Sequence, residues 1–170
     1  MELGITIPLQ RFLKRKKPDY GGMTDLLFCW DLHNITYQGQ EVLLVINGSN
    51  RFTCVMANLS ASDWENIEET AQQGIVQGLL AAGYCDEIVQ RYFSAAGTPW
   101  ITKTHGRKPV AALNRAVERL YWMAEPIAEE IQFQKNHSDW VNEEICKAAG
   151  FSQRGKPKAF LRADMAQFLF

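Results

Sequence analysis

Residues 25–59, DLLFCWDLHNITYQGQEVLLVINGSNRFTCVMANL, decide the fold. Alternation starts at once. Leu26, Phe28, Trp30 and Leu32 fall on one face of an extended chain, and Leu27, Cys29, Asp31 and His33 on the other. EVLLVIN is apolar through its middle with no alternation, the pattern of a central strand covered on both faces. RFTCVMANL alternates again. The connectors YQGQ and NGSN are too short for a crossover, and Asn47-Gly48 is a hairpin signal because both residues tolerate left-handed backbone. Three antiparallel strands in a meander are expected.

Working outward, residues 3–7 alternate like a strand. PLQRFLKRK then reads as a short helix with Pro8 at its start, and Pro18 and Gly21-Gly22 break the chain. On the other side, SASDWENIEETAQQGIVQGLLAAGY is a helix capped at Ser60 or Ser62, with acidic residues at its positive end. CDEIVQRYFSAAG is a second helix, and PWITKT is a short strand that should join the sheet edge. Val110, Leu113, Val117 and Leu120 follow helical spacing after Pro109 and predict a long helix that Pro126 ends. SDWVNEEICKAAG reads as a further helix closed by Gly150. The expected fold is α+β: a small antiparallel meander sheet of about four or five strands, covered on one face by these helices. Residues 1–125 form the core domain and residues 126–170 a helical C-terminal extension. The last stretch, AFLRADMAQFLF, is apolar enough to pack on the domain or on a second copy, which admits a homodimer.

The chain has 170 residues, 46% hydrophobic and 22% charged, with a formal net charge of -1. That suits one globular domain and excludes a strongly basic nucleic-acid coat protein, although a local basic patch stays open. Cys29, Cys54, Cys85 and Cys146 share no C-x-x-C spacing and read as reduced thiols, which points to the cytoplasm. The N-terminal stretch places its charges after its apolar residues, the reverse of a signal peptide, and no run of about 18 apolar residues is present to cross a membrane.

Cations crowd one turn. Lys103, His105, Arg107 and Lys108 precede or open the long helix, where the free N–H groups already favour an anion. Like charges there make sense if an anion sits between Lys103 and Arg107. The alternative is that Arg107 pairs with an acid such as Asp31. Asn114, at the edge of the apolar stripe, is expected to be a buried amide, which needs partners. It would anchor the preceding turn or meet a ligand. His33 shares a strand face with Asp31, but without a third ligand nearby in sequence no metal site and no cofactor are expected. Trp30 reads first as core. The basic run of residues 11–17 is a solvated helix face or a phosphate-contacting patch.

Taken together, Trp30 and His33, then Asn47, then Lys103, Arg107 and Asn114 spell W-x-x-H, N and K-x-x-x-R-x-x-x-x-x-x-N. This pattern resembles a family of uncharacterised bacterial domains over roughly residues 5–120. Ala111, where that family usually has glycine, and Asn50, where it has serine, depart from it. The resemblance implies that Trp30, His33, Asn47, Lys103, Arg107 and Asn114 belong to one site, and it implies no mechanism. Three functions stay open. One is a non-catalytic module binding an anionic partner, nucleic acid among the candidates. Another is an enzyme acting on a phosphate or carboxylate substrate with His33 as base. The last is a protein-interaction component of a bacterial regulatory or defence module.

Overall fold

The computed structural model describes residues 1–169. Its centre is a five-stranded sheet built from β1 (Glu2–Ile5), β2 (Cys29–Tyr37), β3 (Gln40–Asn47), β4 (Thr53–Met56) and β5 (Trp100–Lys103), in the order β4-β3-β2-β1-β5. The expected meander is there: β2 pairs β3 and β3 pairs β4, both antiparallel. The sheet as a whole is mixed, because β1 runs parallel to both β2 and β5. Parallel neighbours need long connections, and the chain supplies them. One holds α1 (Ile7–Phe12) and the loop to β2. The other holds α2 (Ala61–Glu65), α3 (Ile67–Ala81) and α4 (Asp86–Ala96). The single helix expected from residue 60 onward is thus divided at Asn66, with Ser60 and Asp63 forming a reciprocal capping box on its first piece.

Helices cover both faces of the sheet. This corrects the expectation that they gather on one. Leu3, Trp30, Leu32, Leu43, Val45 and Met56 pack against Ile67, Ile75 and Leu79 of α3 and Tyr92 of α4. Leu44, Ile46 and Val55, pointing the other way, pack against Leu113 and Leu120 of α5 (Arg107–Tyr121) and Val141 of α6 (Lys135–Asn142). The reason lies in β3. Residues Val42, Leu43, Leu44, Val45 and Ile46 are at most 2% exposed, and successive side chains point to opposite faces, so each face needs its own cover.

After Asn142 the chain forms a hairpin, β6 (Cys146–Lys147) with β7 (Arg154–Gly155), where a continuing helix was expected. Asn142 explains the stop. Its Oδ1 accepts from the Thr53 amide at 2.8 Å, and its Nδ2 donates to Thr53 O and Ser138 O. Ser138 Oγ accepts from the Val55 amide at 2.9 Å. Side chains of α6 thus satisfy the free edge of β4, which would otherwise offer unpaired amides to another chain. The last helix, α7 (Pro157–Met165), returns to the first core through Leu161 and Met165, joined by Phe168. These residues of the apolar tail join the chain's own first core, Phe168 against Phe28 and Tyr92, and Phe170 lies outside the described residues. Among the described residues no helix is long and apolar enough to cross a membrane.

Candidate functional site

The six residues picked out by sequence are distributed rather than gathered. Trp30 is fully buried, and its Nε1 donates to Tyr92 Oη at 2.8 Å, which in turn donates to Leu27 O. It is a core residue. Asn47, also fully buried, donates to Leu27 O and accepts from the amides of Ser49 and Asn50 at 2.9 and 3.2 Å. Its role is to fold the β3–β4 loop. His33 Nδ1 bonds Thr6 Oγ1 at 2.8 Å, and burial shifts the ring downward, towards the neutral form. Lys103 places its ammonium 3.8 Å from the centre of the Tyr20 ring. Arg107 and Asn114 are exposed on α5. Their seven-residue spacing, about two helical turns, puts them on one outward face. The exposure of Asn114 overturns the expected buried amide.

Asp31 does not pair with Arg107. The chain leaves β5, crosses over β1 and lays His105 across the start of the sheet. Asp31 Oδ1 accepts from the His105 amide at 3.0 Å and contacts its Nδ1 at 2.9 Å, while His105 Nε2 lies 3.0 Å from Glu2 Oε2. Glu2 Oε1 accepts from the amides of Gly22 and Met23, both at 2.7 Å. Two glycines make the room. A Cβ on Gly4 would stand 2.1 Å from Asp31 Oδ1, and one on Gly21 would stand 1.9 Å from Glu2 Oε2. Burial works against a charged His105, but the bonds to Asp31 and the nearby Cys29 outweigh it, and the ring is pushed up to about 10. Burial would likewise raise Glu2, yet the Met23 amide and His105 hold it below the usual carboxylate range.

A different set of residues forms a cavity. The β3–β4 loop is buried along residues 48–52. Asn47 and Asn50 fold it from within, the latter accepting from the Phe52 amide and donating to Asp164. This tight course turns Arg51 into left-handed backbone, φ 67°. The residue is 4% exposed, and its Nη1 has no hydrogen-bond partner. Burial pulls the guanidinium down from its usual range, opposed by the charge of Asp31. Arg51 lines a cavity of about 500 Å³ between α5 and the β6–β7 hairpin. Lys108, Arg115, Lys147 and Arg154 also line it and are exposed. The one carboxylate there, Glu144, lies 4.0 Å from Arg119. Ile46, Val141 and Phe151 supply an apolar wall, with Phe151 stacked on Phe160 at 4.3 Å. Gly150 closes the hairpin on the loop: its amide donates to Ser49 O at 3.0 Å, and a Cβ there would meet Ser49 Oγ at 2.3 Å. A larger groove, about 710 Å³, runs beside α3 and is lined by five apolar residues, four glutamines and two glutamates, with no cation.

The cavity thus holds five cations against one carboxylate on a chain whose net charge is -1. Of the four basic residues in that turn, Lys103, His105, Arg107 and Lys108, Lys108 is the one that lines the cavity. The spacing of Lys108 and Arg115 along α5 was available to sequence reading as a helix face. Arg51, Lys147 and Arg154 were not, because they join the cavity only through the tertiary fold.

A family model for a domain of unknown function (DUF6933) matches residues 2–159. The match runs past residue 120, where the motif resemblance ended, and includes β6, β7 and the start of α7. No curated protein and no solved structure matches the chain. With nearly its whole length matched, the chain belongs to the DUF6933 family.

Proposed function

We propose that this protein is a non-catalytic binding module that takes a phosphate-bearing or other anionic partner in the cavity between α5 and the β6–β7 hairpin. Arg51 carries the reading. A buried cation with an idle N–H is costly, by several kcal/mol when left unpaired, and a bound oxyanion offsets that cost. A guanidinium is suited to the task because its planar fork meets two oxygens at once. The exposed cations at the rim attract the anion from solution and screen it once bound. The start of α5, where Lys108 is the second residue, adds free amides and the positive end of a helix. Lys103, which precedes the helix, and Arg107, its first residue, stand outside the cavity lining.

A volume of about 500 Å³ exceeds what a bare ion needs. With one apolar wall, it suits a phosphate attached to a flat or apolar body, as in a nucleotide unit. Nucleic acid is therefore the macromolecular partner that the reading favours. The test is to titrate labelled short single-stranded RNA and, separately, inorganic pyrophosphate at two salt concentrations. Wild type and the double variant Arg51→Met/Arg115→Ala are compared. The expected outcome is binding that weakens as salt rises and falls at least tenfold in the variant. A folded wild-type protein that binds neither probe at low salt overturns the proposal.

A further inference from the structure

We propose that Glu2, Cys29 and His105 form a site for a divalent metal ion of the zinc class, separate from the cationic cavity. One ligand atom from each of the three lies within 4.8 Å of the others. Their arrangement follows from the fold. Glu2 and Cys29 are direct partners in the parallel β1–β2 ladder, so their side chains leave the same face of the sheet. The turn after β5 then brings His105 over that face.

Three observations favour a metal over chance proximity. First, His105 is oriented as metal-bound imidazoles are: Asp31 Oδ1 holds Nδ1 at 2.9 Å and turns Nε2 to Glu2, 3.0 Å away. Second, Nε2 and Glu2 Oε2 are 3.0 Å apart, so a separation of only a few tenths of an ångström would bring them to the roughly 3.3–3.5 Å at which tetrahedral zinc holds two such atoms. Third, Asp31, which holds Nδ1, is fully buried and its Oδ2 has no hydrogen-bond partner, so this carboxylate keeps acceptor capacity beyond the His105 ring, part of its charge acting on Arg51. Nitrogen, sulfur and carboxylate oxygen together select zinc or a neighbouring transition ion rather than magnesium or calcium. Three protein ligands leave a further position for water or an incoming group.

The ligands bind the ion in their deprotonated forms, so uptake of the ion releases protons to solvent. No metal was expected from sequence because Glu2, Cys29 and His105 are joined only by the strand register and by the turn that carries His105 across β1.

The experiment uses the full chain with Cys85→Ser and Cys146→Ser, the two thiols that are not buried, so that surface sulfur cannot answer for Cys29. Chelator-treated protein is titrated with Co²⁺ and followed by absorbance, then challenged with Zn²⁺. The expected result is one equivalent of Co²⁺, a near-ultraviolet thiolate-to-cobalt band, and displacement by Zn²⁺. Cys29→Ser should remove the band and weaken binding at least tenfold. Glu2→Gln, whose amide oxygen can still accept from Gly22 and Met23, should weaken binding at least tenfold and keep the band, so the proposal stays testable if Cys29→Ser does not fold. A folded parent that takes up no stoichiometric ion overturns the proposal. So does a cobalt complex without a thiolate band, or a band that survives Cys29→Ser.

Discussion

Two regions on the α5 side of the sheet bury charge, and they do it in opposite ways. At the β1–β2 end, His105 lies between Asp31 and Glu2, and backbone amides complete the Glu2 carboxylate. At the β3–β4 end, Arg51 is 4% exposed, its Nη1 has no hydrogen-bond partner, and the residue lines a cavity rimmed with further cations. In the first arrangement both imidazole nitrogens meet carboxylates of the chain itself, and these bonds hold the turn after β5 in place. The second is left open. An enclosed charge that is paired contributes to folding, whereas one that is unpaired costs stability unless a ligand offsets it. The comparison therefore separates an imidazole bonded on both sides from a buried guanidinium with an unpartnered nitrogen.

The sharpest way to break this comparison is to remove the paired cation. His105→Gln leaves two buried carboxylates facing each other, and breaking a buried pair costs about 3–5 kcal/mol, read by urea denaturation of metal-free protein. The pH dependence carries the sign. His105 is raised from 6.5 to about 10 in the folded state. Its contribution is therefore full below about 6.5 and is lost as pH rises through about 10. Wild type should lose stability across that window, and His105→Gln should be flatter there. Asn47→Ala comes next in size. It strips the acceptor from two buried loop amides and the donor to Leu27 O. The expected loss is roughly 1–3 kcal/mol, with anion binding weakened as well because Arg51 is no longer aimed. Smallest of all, Arg107→Ala with Asn114→Ala should shift stability by no more than about 0.5 kcal/mol, since both are exposed.

Much of the fold was legible because it is written locally. The alternation in β2 and the unbroken apolar middle of β3 give the meander directly, whereas the expected tight Asn47-Gly48 turn is a loop of residues 48–52 whose left-handed residue is Arg51. The same apolar run in β3 also implied two covering layers, and that implication outweighs the expectation of helices on one face. The end of α6 was hidden. Ser138 and Asn142 read as ordinary helical polar residues, and their partners are backbone groups of β4, at Thr53 and Val55. The motif residues show a similar divide. Trp30 and Asn47 carry the resemblance but are buried in structural roles, so a sequence pattern does not distinguish a residue that touches a ligand from one that shapes a loop. Arg51 left no signal: its significance comes from being 4% exposed, a property set by α5, the hairpin and the loop together.

The most direct test of the central claim is thermal denaturation of wild type and Arg51→Met with and without inorganic pyrophosphate. Replacing an unpaired buried cation by an apolar side chain of similar length should leave the unliganded Tm unchanged or raise it. Pyrophosphate should raise the Tm of wild type, through preferential binding to the folded state, and not that of the variant. A variant that is destabilised on its own, or that keeps the full pyrophosphate response, would contradict the assignment of Arg51 as the cation that takes the anion.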